Sequence, residues 1–531
     1  MKNNPILVAG EWRAADAVDE FRPFNPSTGE HLDAVYPVSS WQDCDAALNA
    51  AASAQVQLRQ LSRDTLGDFL EAFASEIEKA RAKLVEMAAL ETGLAPSPRL
   101  ADVEIPRTTM QLRQAAQACR QASWCQATID SQNNIRSVLQ AIGPVAVFGP
   151  NNFPFAFGSI SGGDFAAAIA AGNPVIAKAH PSHPGTTRLL AELAHRASEQ
   201  CGLPVGTIQM IYAMSNESGL KLVSDARIGA TAFTGSRAAG LALKTAADGT
   251  GKPIYLELSS LNPVILLPGA LAERAEAIVD EFTTSCVVAA GQLCTKPGLM
   301  VVPTGFVGDK FVAQVAAKFD QAAVGTLLSP HGAEQILQIS SDLVAAGAQL
   351  LTASVAQPGQ TENPARFCCA NTLLEVSAAG FIAEADTFQR EMFGNASLVI
   401  RSESVEQIAA VIAKLEGNLT GCIYSHSADE DEVDYQIIEP LLRAKVGRLL
   451  NDKMPTGVLV SSAMNHGGPY PASGHPGFSA VGMPGAIKRF AALKCFDNIR
   501  QSRLPDLLQD KNPGKDIWRY IDGRYTTEDV A

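Results

Sequence analysis

Between Pro144 and Leu258 short apolar runs alternate with helical patterns, and this alternation restricts the fold more than any other feature of the chain. "PVAVF" (144–148), "NPVIA" (173–177), "TIQMIY" (207–212), "GATAF" (229–233) and "PIYLEL" (253–258) read as buried strands. Between two of them "TTRLLAELAHRASEQ" reads as a helix ended by Gly202 and Pro204. Strand, helix, strand at this spacing gives βαβ units, a parallel sheet, and ligand sites where strand ends open into loops. A second α/β stretch runs from about Asn262 to Gly457.

A chain of 531 residues is too long for one ordinary core, so two or three domains of roughly 100–250 residues each are expected. Upstream of the alternation, Leu66, Phe69, Leu70, Phe73, Ile77, Leu84 and Val85 fall at three- and four-residue spacings or whole turns. They predict one long amphipathic helix from Leu61 to Leu90, capped by Ser62 and closed by Gly93 ahead of Pro96 and Pro98. A second helical pattern reaches about Ala122, and "IDSQNNIRSVLQ" (129–140) breaks the period as a pair of short strands.

The formal net charge of −13 and the absence of a Lys/Arg run argue against nucleic acid or anionic membrane as partners. Ile6–Gly10 is too short for a signal-peptide core of about 7–15 residues. The nearest approach to a membrane span, "DFAAAIAAGNPVIAK", carries Asp164, Asn173 and Pro174. A cytoplasmic setting is therefore expected. Ten cysteines without a C-x-x-C pair or a Cys/His cluster at zinc spacing predict reduced thiols and no metal. His180 and His183, in the Pro-rich "KAHPSHPG", read as loop residues.

Within "AAGQLCTKPGL" (289–299), Cys294 precedes a Pro-Gly breaker in an apolar segment. A lone cysteine is often just a small buried hydrophobe; the other reading is a nucleophile, with Cys286, eight residues earlier, as its nearest rival. A nucleophile needs a base and an oxyanion donor. Glu257 ends the strand of "YLELSSLNP"; enclosure would raise its pKa and make it a usable base, while exposure would make it a plain strand-end residue. Asn151 and Asn152 in "GPNNFPF" offer amides, or an ordinary turn. "FTGSRAAG" (233–240) follows a strand and opens a helix as a phosphate-cradling loop does, without the G-x-G-x-x-G spacing. No histidine near Cys294 in sequence presents itself, which weighs against a cysteine hydrolase or thioesterase.

Together "GPNNFPF", "FTGS", "LELSSLNP", "GQLCTKPG" and "EMFG" stand in the order found in the aldehyde dehydrogenase superfamily, which about residues 5–500 resemble. The resemblance implies an α/β protein of two Rossmann-like parallel-sheet domains with a small β oligomerisation arm. Residues 1–122 and 144–261 would bind NAD(P), 262–457 would carry the nucleophile, and 123–143 with 485–531 would form the arm and tail. It further implies that Cys294 attacks an aldehyde and that Asn152 and the Cys294 N–H hold the oxyanion. Glu257 would activate the water that cleaves the resulting thioester. Lys178 would contact the adenosine ribose, Phe233, Gly235 and Ser236 would border the pyrophosphate, and Glu391 with Phe393 would hold the nicotinamide ribose. A homodimer or homotetramer is implied, with the arm's sheet edge satisfied by a neighbouring subunit. A CoA-acylating relative would have no need of Glu257.

Two departures stand out. Ser259-Ser260 replaces the Gly-Gly that many members carry after the glutamate, and Pro181 stands where NAD-preferring members have a glutamate three residues past the lysine. The second removes a carboxylate that would repel a 2′-phosphate and tips the cofactor from NAD toward NADP, although no arginine follows "TIQMIY". "KAHPSHPGTT" and "MNHGGPYPASG" resemble the branch of ketoglutarate semialdehyde (2,5-dioxovalerate) dehydrogenases and NADP-linked fatty aldehyde dehydrogenases, with "SGHPGFSAVG" a divergent continuation. A carboxylate-bearing semialdehyde needs a cationic or amide-rich recess, and Lys296 is the one cation in the motif around Cys294. Phe153, Phe155 and Phe157 would instead suit a tunnel for a medium-chain or aromatic aldehyde.

Overall fold

The computed structural model describes residues 4–352, 365–477 and 479–531. The apolar runs become the strands Val145–Phe148, Val175–Lys178, Ile208–Ile211, Ala230–Thr234 and Ile254–Glu257. All pair in parallel, with Val145–Phe148 in the middle, the next two strands on one side of it and the last two on the other. That reversal of order is the switch point at which an open α/β sheet leaves a crevice. Ile6–Val8 and Glu11–Arg13 complete the sheet in antiparallel sense.

A second seven-stranded sheet runs Gln349–Leu350, Thr372–Ser377, Ala396–Ser402, Leu299–Pro303, Val264–Leu266, Asn418–Tyr424 and Val446–Asn451, parallel except at its first pair. The protein is thus α/β, built on two Rossmann-like parallel sheets. Among the described residues no helix is long and apolar enough to cross a membrane.

The expected helix over 61–90 is two helices, Arg63–Lys79 and Arg81–Thr92. Ser62 caps the first by accepting from Thr65 N at 3.1 Å, and left-handed Gly93 (φ 65°) ends the second. No glycine or proline marks the break at Ala80. The first half packs chiefly on Ile105–Gln121, the second on Pro96–Glu104 and Pro184–Gln200, so neighbours far along the chain decide the bend.

Thr128–Asp130 and Ile135–Ala141 form the expected strand pair inside a five-stranded sheet. Its Thr128–Asp130 side is covered by the chain's own tail, Arg519–Ile521 and Arg524–Thr526, and not left for a neighbour. Ala491–Asp497 is the outer strand at the other side, with Leu493 66% exposed.

Arg519 holds the tail. Its side chain is fully buried and donates to three carbonyls, Gln509 O (2.5 Å), Asp510 O (3.1 Å) and Glu528 O (2.9 Å). Arg519→Met leaves those acceptors buried and unsatisfied, a cost of about 2–3 kcal/mol. The expected outcome is early tryptic cleavage within the last 30 or so residues (roughly two strands plus connections) and a lowered Tm; unchanged cleavage would contradict this role for Arg519.

Candidate active site

In the first sheet Lys178 pairs in register with Phe148, Phe148 with Phe233, and Thr234 with Glu257. Parallel strands therefore bring "KAHPSHPG", "GPNNFPF", "FTGS" and "ELSSLNP" to one edge, where the polar residues of four loops meet. Glu104, wholly buried, shapes the second of these loops. Its Oε1 accepts from Phe155 N (2.8 Å) and Ala156 N (3.0 Å), while Arg99, ion-paired to Glu104, donates to Asn152 O at 2.9 Å. The loop is a turn, not a strand, and Phe155 lies in the core while Phe153 and Phe157 meet edge to face at 5.3 Å.

Cys294 follows a turn in which Ala289, Ala290 and Gly291 all have positive φ (53°, 53° and 68°). Only glycine fits the third position, since a Cβ there would lie 2.2 Å from Gly394 O and 2.6 Å from Cys286 O. Asn262 fastens the turn by donating to Cys294 O (3.0 Å) and Lys296 O (2.9 Å). Asn152 Nδ2 donates to Gln292 O at 2.9 Å, joining the amide to the cysteine loop and leaving its second N–H for other acceptors. No backbone hydrogen bond among the described residues uses the Cys294 N–H. Cys286 is fully buried, donates to Pro297 O, and burial pushes its thiol up to about 12, so it is a packing residue.

A histidine does partner Cys294, contrary to the expectation from sequence. His466 Nε2 lies 3.4 Å from Cys294 Sγ and 2.9 Å from Glu257 Oε1. It stands 172 residues from the cysteine and 209 from the glutamate, so no local pattern could join them. The segment after it runs back along the end of strand Ile254–Glu257, through Leu258 N to Ala472 O (2.8 Å) and Gly474 N to Leu256 O (3.2 Å). Glycine is required here: a Cβ on Gly468 would sit 2.2 Å from Asn418 O. The signal available in sequence was "MNHGGPYPASG", whose glycines mark the close approach.

Glu257 is thus buried beside a ring partner, not alone in apolar surroundings. Burial opposes charge on His466, but Glu257 and Cys294 outweigh it and push the ring up to about 10, so it is an imidazolium at neutral pH. Donor atoms of Glu257, Cys294 and His466 lie within 4.8 Å of one another, a set of ligand types that zinc accepts. His466 Nδ1, however, has no hydrogen-bond partner of the kind that orients zinc-bound histidines.

The other expected residues divide in two groups. Lys178 ends its strand, where burial brings its amine down to about 8. Ser236 caps helix Arg237–Asp248 through Ala239 N (3.4 Å), and a Cβ on Gly235 would meet the Phe233 ring at 2.8 Å. The neighbouring helix start at Pro184 is already filled by Glu91, which accepts from Gly185 N (2.7 Å) and Thr186 N (2.8 Å). Among the described residues the Arg237 end has no such carboxylate on its N–H groups, so this loop and helix start fit an anion such as a dinucleotide pyrophosphate. On the second sheet, burial pushes Glu391 up to about 7 against Lys296 and hydrogen bonds from Ser259 and the Ser260 backbone, and Phe393 follows in the same turn. Ser260, one of the departures, accepts from Leu419 N (2.9 Å) and bonds Asn262 and Asn418, so it braces the cysteine turn.

Lys296 is not the cation of a substrate recess. It is buried, its Nζ donating to Met392 O (3.0 Å) and Ala396 O (2.5 Å). Besides His466, two arginines that no sequence motif indicated, Arg107 and Arg448, feel the charge of Cys294. His180 and His183 stack at 5.4 Å, and His183 Nε2 bonds Pro150 O at 2.9 Å, which fits a role in the loop.

Residues 12–437 match the family described as "Aldehyde dehydrogenase family". The chain is 37% identical over 520 residues to alpha-ketoglutaric semialdehyde dehydrogenase 2 of Azospirillum brasilense, covering 96% of this chain and 97% of that protein. It is 34% identical over 546 residues to alpha-ketoglutaric semialdehyde dehydrogenase of Acinetobacter baylyi, covering 99% of both. Aldehyde dehydrogenase C of Pseudomonas syringae, solved as a mutant with NAD+ and octanal, shares the fold with a TM-score of 0.80 at 21% identity, over 93% of this chain and 97% of that one.

The raised pKa of His466 makes a stability prediction. A ring that titrates near 6.5 unfolded and near 10 folded contributes its full stabilisation below pH 6.5 and loses it as pH rises through about 10. The Tm advantage of the native chain over His466→Gln is therefore expected to narrow between pH 7 and pH 10.5. Parallel Tm curves would mean that the ring is neutral in the native state.

Proposed function

The chain belongs to the aldehyde dehydrogenase family, and on that footing we propose that it oxidises 2,5-dioxovalerate, or a near relative of that semialdehyde, to the dicarboxylate. The observation that carries the reading is the triad of Cys294, His466 and Glu257, placed 3.4 and 2.9 Å apart at the mouth of the parallel sheet. Two relatives named for this semialdehyde, each matched over nearly its whole length, support the substrate.

Cys294 attacks the aldehyde carbon as a thiolate, with the imidazolium of His466 as the positive charge facing its sulfur. The C–S bond forms while the carbonyl oxygen takes the electron pair, held by the spare N–H of Asn152 and the backbone N–H of Cys294. When bound, NAD(P)+ supplies the acceptor for the hydride that leaves this carbon, and a thioester remains on Cys294. Lys178, Phe233, Gly235, Ser236, Glu391 and Phe393 are the residues that would hold it. In the thioester the sulfur has no charge, so Glu257 alone keeps the proton on His466. Water then adds to the thioester carbon and gives a proton to Glu257. The C–S bond breaks, the sulfur returns as thiolate, and the acid so formed gives its proton to solvent and leaves as carboxylate, as does Glu257 when it returns to its ionised form.

NADP is favoured over NAD because Pro181 brings no carboxylate beside Lys178. The same reading carries a cytoplasmic setting and a homodimer or homotetramer built through the outer strand Ala491–Asp497, which light scattering checks.

Absorbance at 340 nm with 2,5-dioxovalerate and NADP+ or NAD+ tests the reading; a strict requirement for CoA would replace hydrolysis by acyl transfer. Cys294→Ala is expected to be silent, and activity surviving in it would remove Cys294 from the chemistry. Glu257→Gln is expected to give a first-turnover burst and then steady turnover about 10²–10⁴-fold slower, the usual worth of a general base. A variant with no burst would place Glu257 before hydride transfer.

A further inference from the structure

We infer that Arg107 and Arg448 form the subsite that grips the carboxylate of the substrate, a proposal that rests on the aldehyde-oxidising reading of Cys294. Arg107 lies in the first turn of helix Ile105–Gln121, with its guanidinium 5.2 Å from the ring centre of Phe157 and 6.0 Å from that of Phe153. The Phe157 ring in turn lies 5.5 Å from His466. One aromatic residue thus separates Arg107 from the ring that touches the nucleophile. Arg448 lies on the edge strand Val446–Asn451.

Both side chains converge on one short segment. Arg107 Nη1 donates to Val458 O, while Arg448 donates through Nη1 to Gly457 O (3.2 Å) and through Nη2 to Pro455 O (2.7 Å). These carbonyls orient the two guanidiniums without neutralising either. Arg107 Nε and Nη2 and Arg448 Nε are buried with no hydrogen-bond partner, and among the described residues neither arginine forms an ion pair. Arg99, Arg136, Arg401 and Arg489, similarly enclosed, each have a carboxylate within 2.7 Å. Burial and mutual repulsion both oppose the charge on Arg448, and each arginine feels the charge of Cys294.

Two enclosed cations with open N–H groups and no counterion are a receptor for an anion. The guanidinium fork matches a carboxylate in two parallel hydrogen bonds, and the desolvation has already been met in the folded protein. A substrate with the aldehyde at one end and a carboxylate at the other would reach from Cys294 past Phe157 to this pair. An aliphatic or aromatic aldehyde would leave both charges unanswered, so the pair also selects against the apolar alternative.

The test compares kcat/KM for 2,5-dioxovalerate and for pentanal, a chain of equal length with no carboxylate, in the native enzyme and in Arg107→Met and Arg448→Met. For the semialdehyde a loss of about 10²-fold, mostly in KM, is expected from removing one member of a buried charge pair. For pentanal, which shares only the effect of these charges on Cys294, the loss should be at least about tenfold smaller (roughly 1.4 kcal/mol). Arg107→Lys, which keeps the charge but not the fork, should recover part of the semialdehyde rate. Equal losses on both substrates, or no loss on either, would overturn the inference. Calorimetric binding of the product dicarboxylate separates the two levels of the argument. If the native protein oxidises neither aldehyde, the aldehyde-oxidising reading fails; dicarboxylate binding that both Met variants abolish would still uphold the arginine pair, and binding they leave intact would overturn it.

Discussion

A positive ring buried between a carboxylate and a sulfur ties the two sheets together at the site. Glu257 ends the last strand of the first sheet, Cys294 sits on the turn that leads into the second, and His466 arrives on a segment that follows the second sheet and folds back onto the first. Each group alone would be an expensive thing to bury. Glu257 and His466 satisfy one another, and removal of either leaves a buried charge without its nearest partner. The loops around them are consequently held to tolerances set by hydrogen bonds of about 3 Å, not by the softer fit of apolar packing.

That tolerance explains why so much of the local architecture is backbone work. Left-handed residues at Ala289, Ala290 and Gly291 reverse the chain just ahead of the nucleophile, and Asn262 and Ser260 hold the reversal from below. Ser260 shows why the departure from a double glycine is harmless to this frame: its hydroxyl supplies hydrogen bonds that would otherwise be missing around Asn418 and Leu419. Glu104 does the same for the Asn152 loop, with an arginine to balance its charge.

The charge distribution then sorts the arginines. Those whose work is structural have carboxylates, as Arg136 and Arg401 do, or three carbonyls, as Arg519 does in the tail. Arg107 and Arg448 form no ion pair among the described residues, and Arg107 brings a positive charge against the otherwise apolar "NNFPFAFG" loop. Phe153 and Phe157 serve as a surface on which guanidiniums rest.

What the sequence determined by itself was everything written in short-range periodicity. Five apolar runs became parallel strands in the positions expected, Ser62 and Gly93 bounded their helices, and Cys294, Glu257 and Asn152 were singled out by residue type and by the breaks around them. Local pattern failed where a partner lay far along the chain. The split at Ala80 has no breaker because distant helices impose it, and Lys296 looked like a substrate cation until its carbonyl partners a hundred residues away were seen. His466 was passed over because nothing within ten residues of it points to a thiol 172 residues earlier. Periodicity records which face of an element is buried, since that is decided residue by residue against water. Which charge meets which is decided only when the sheets close, because a pairing energy exists only at contact distance.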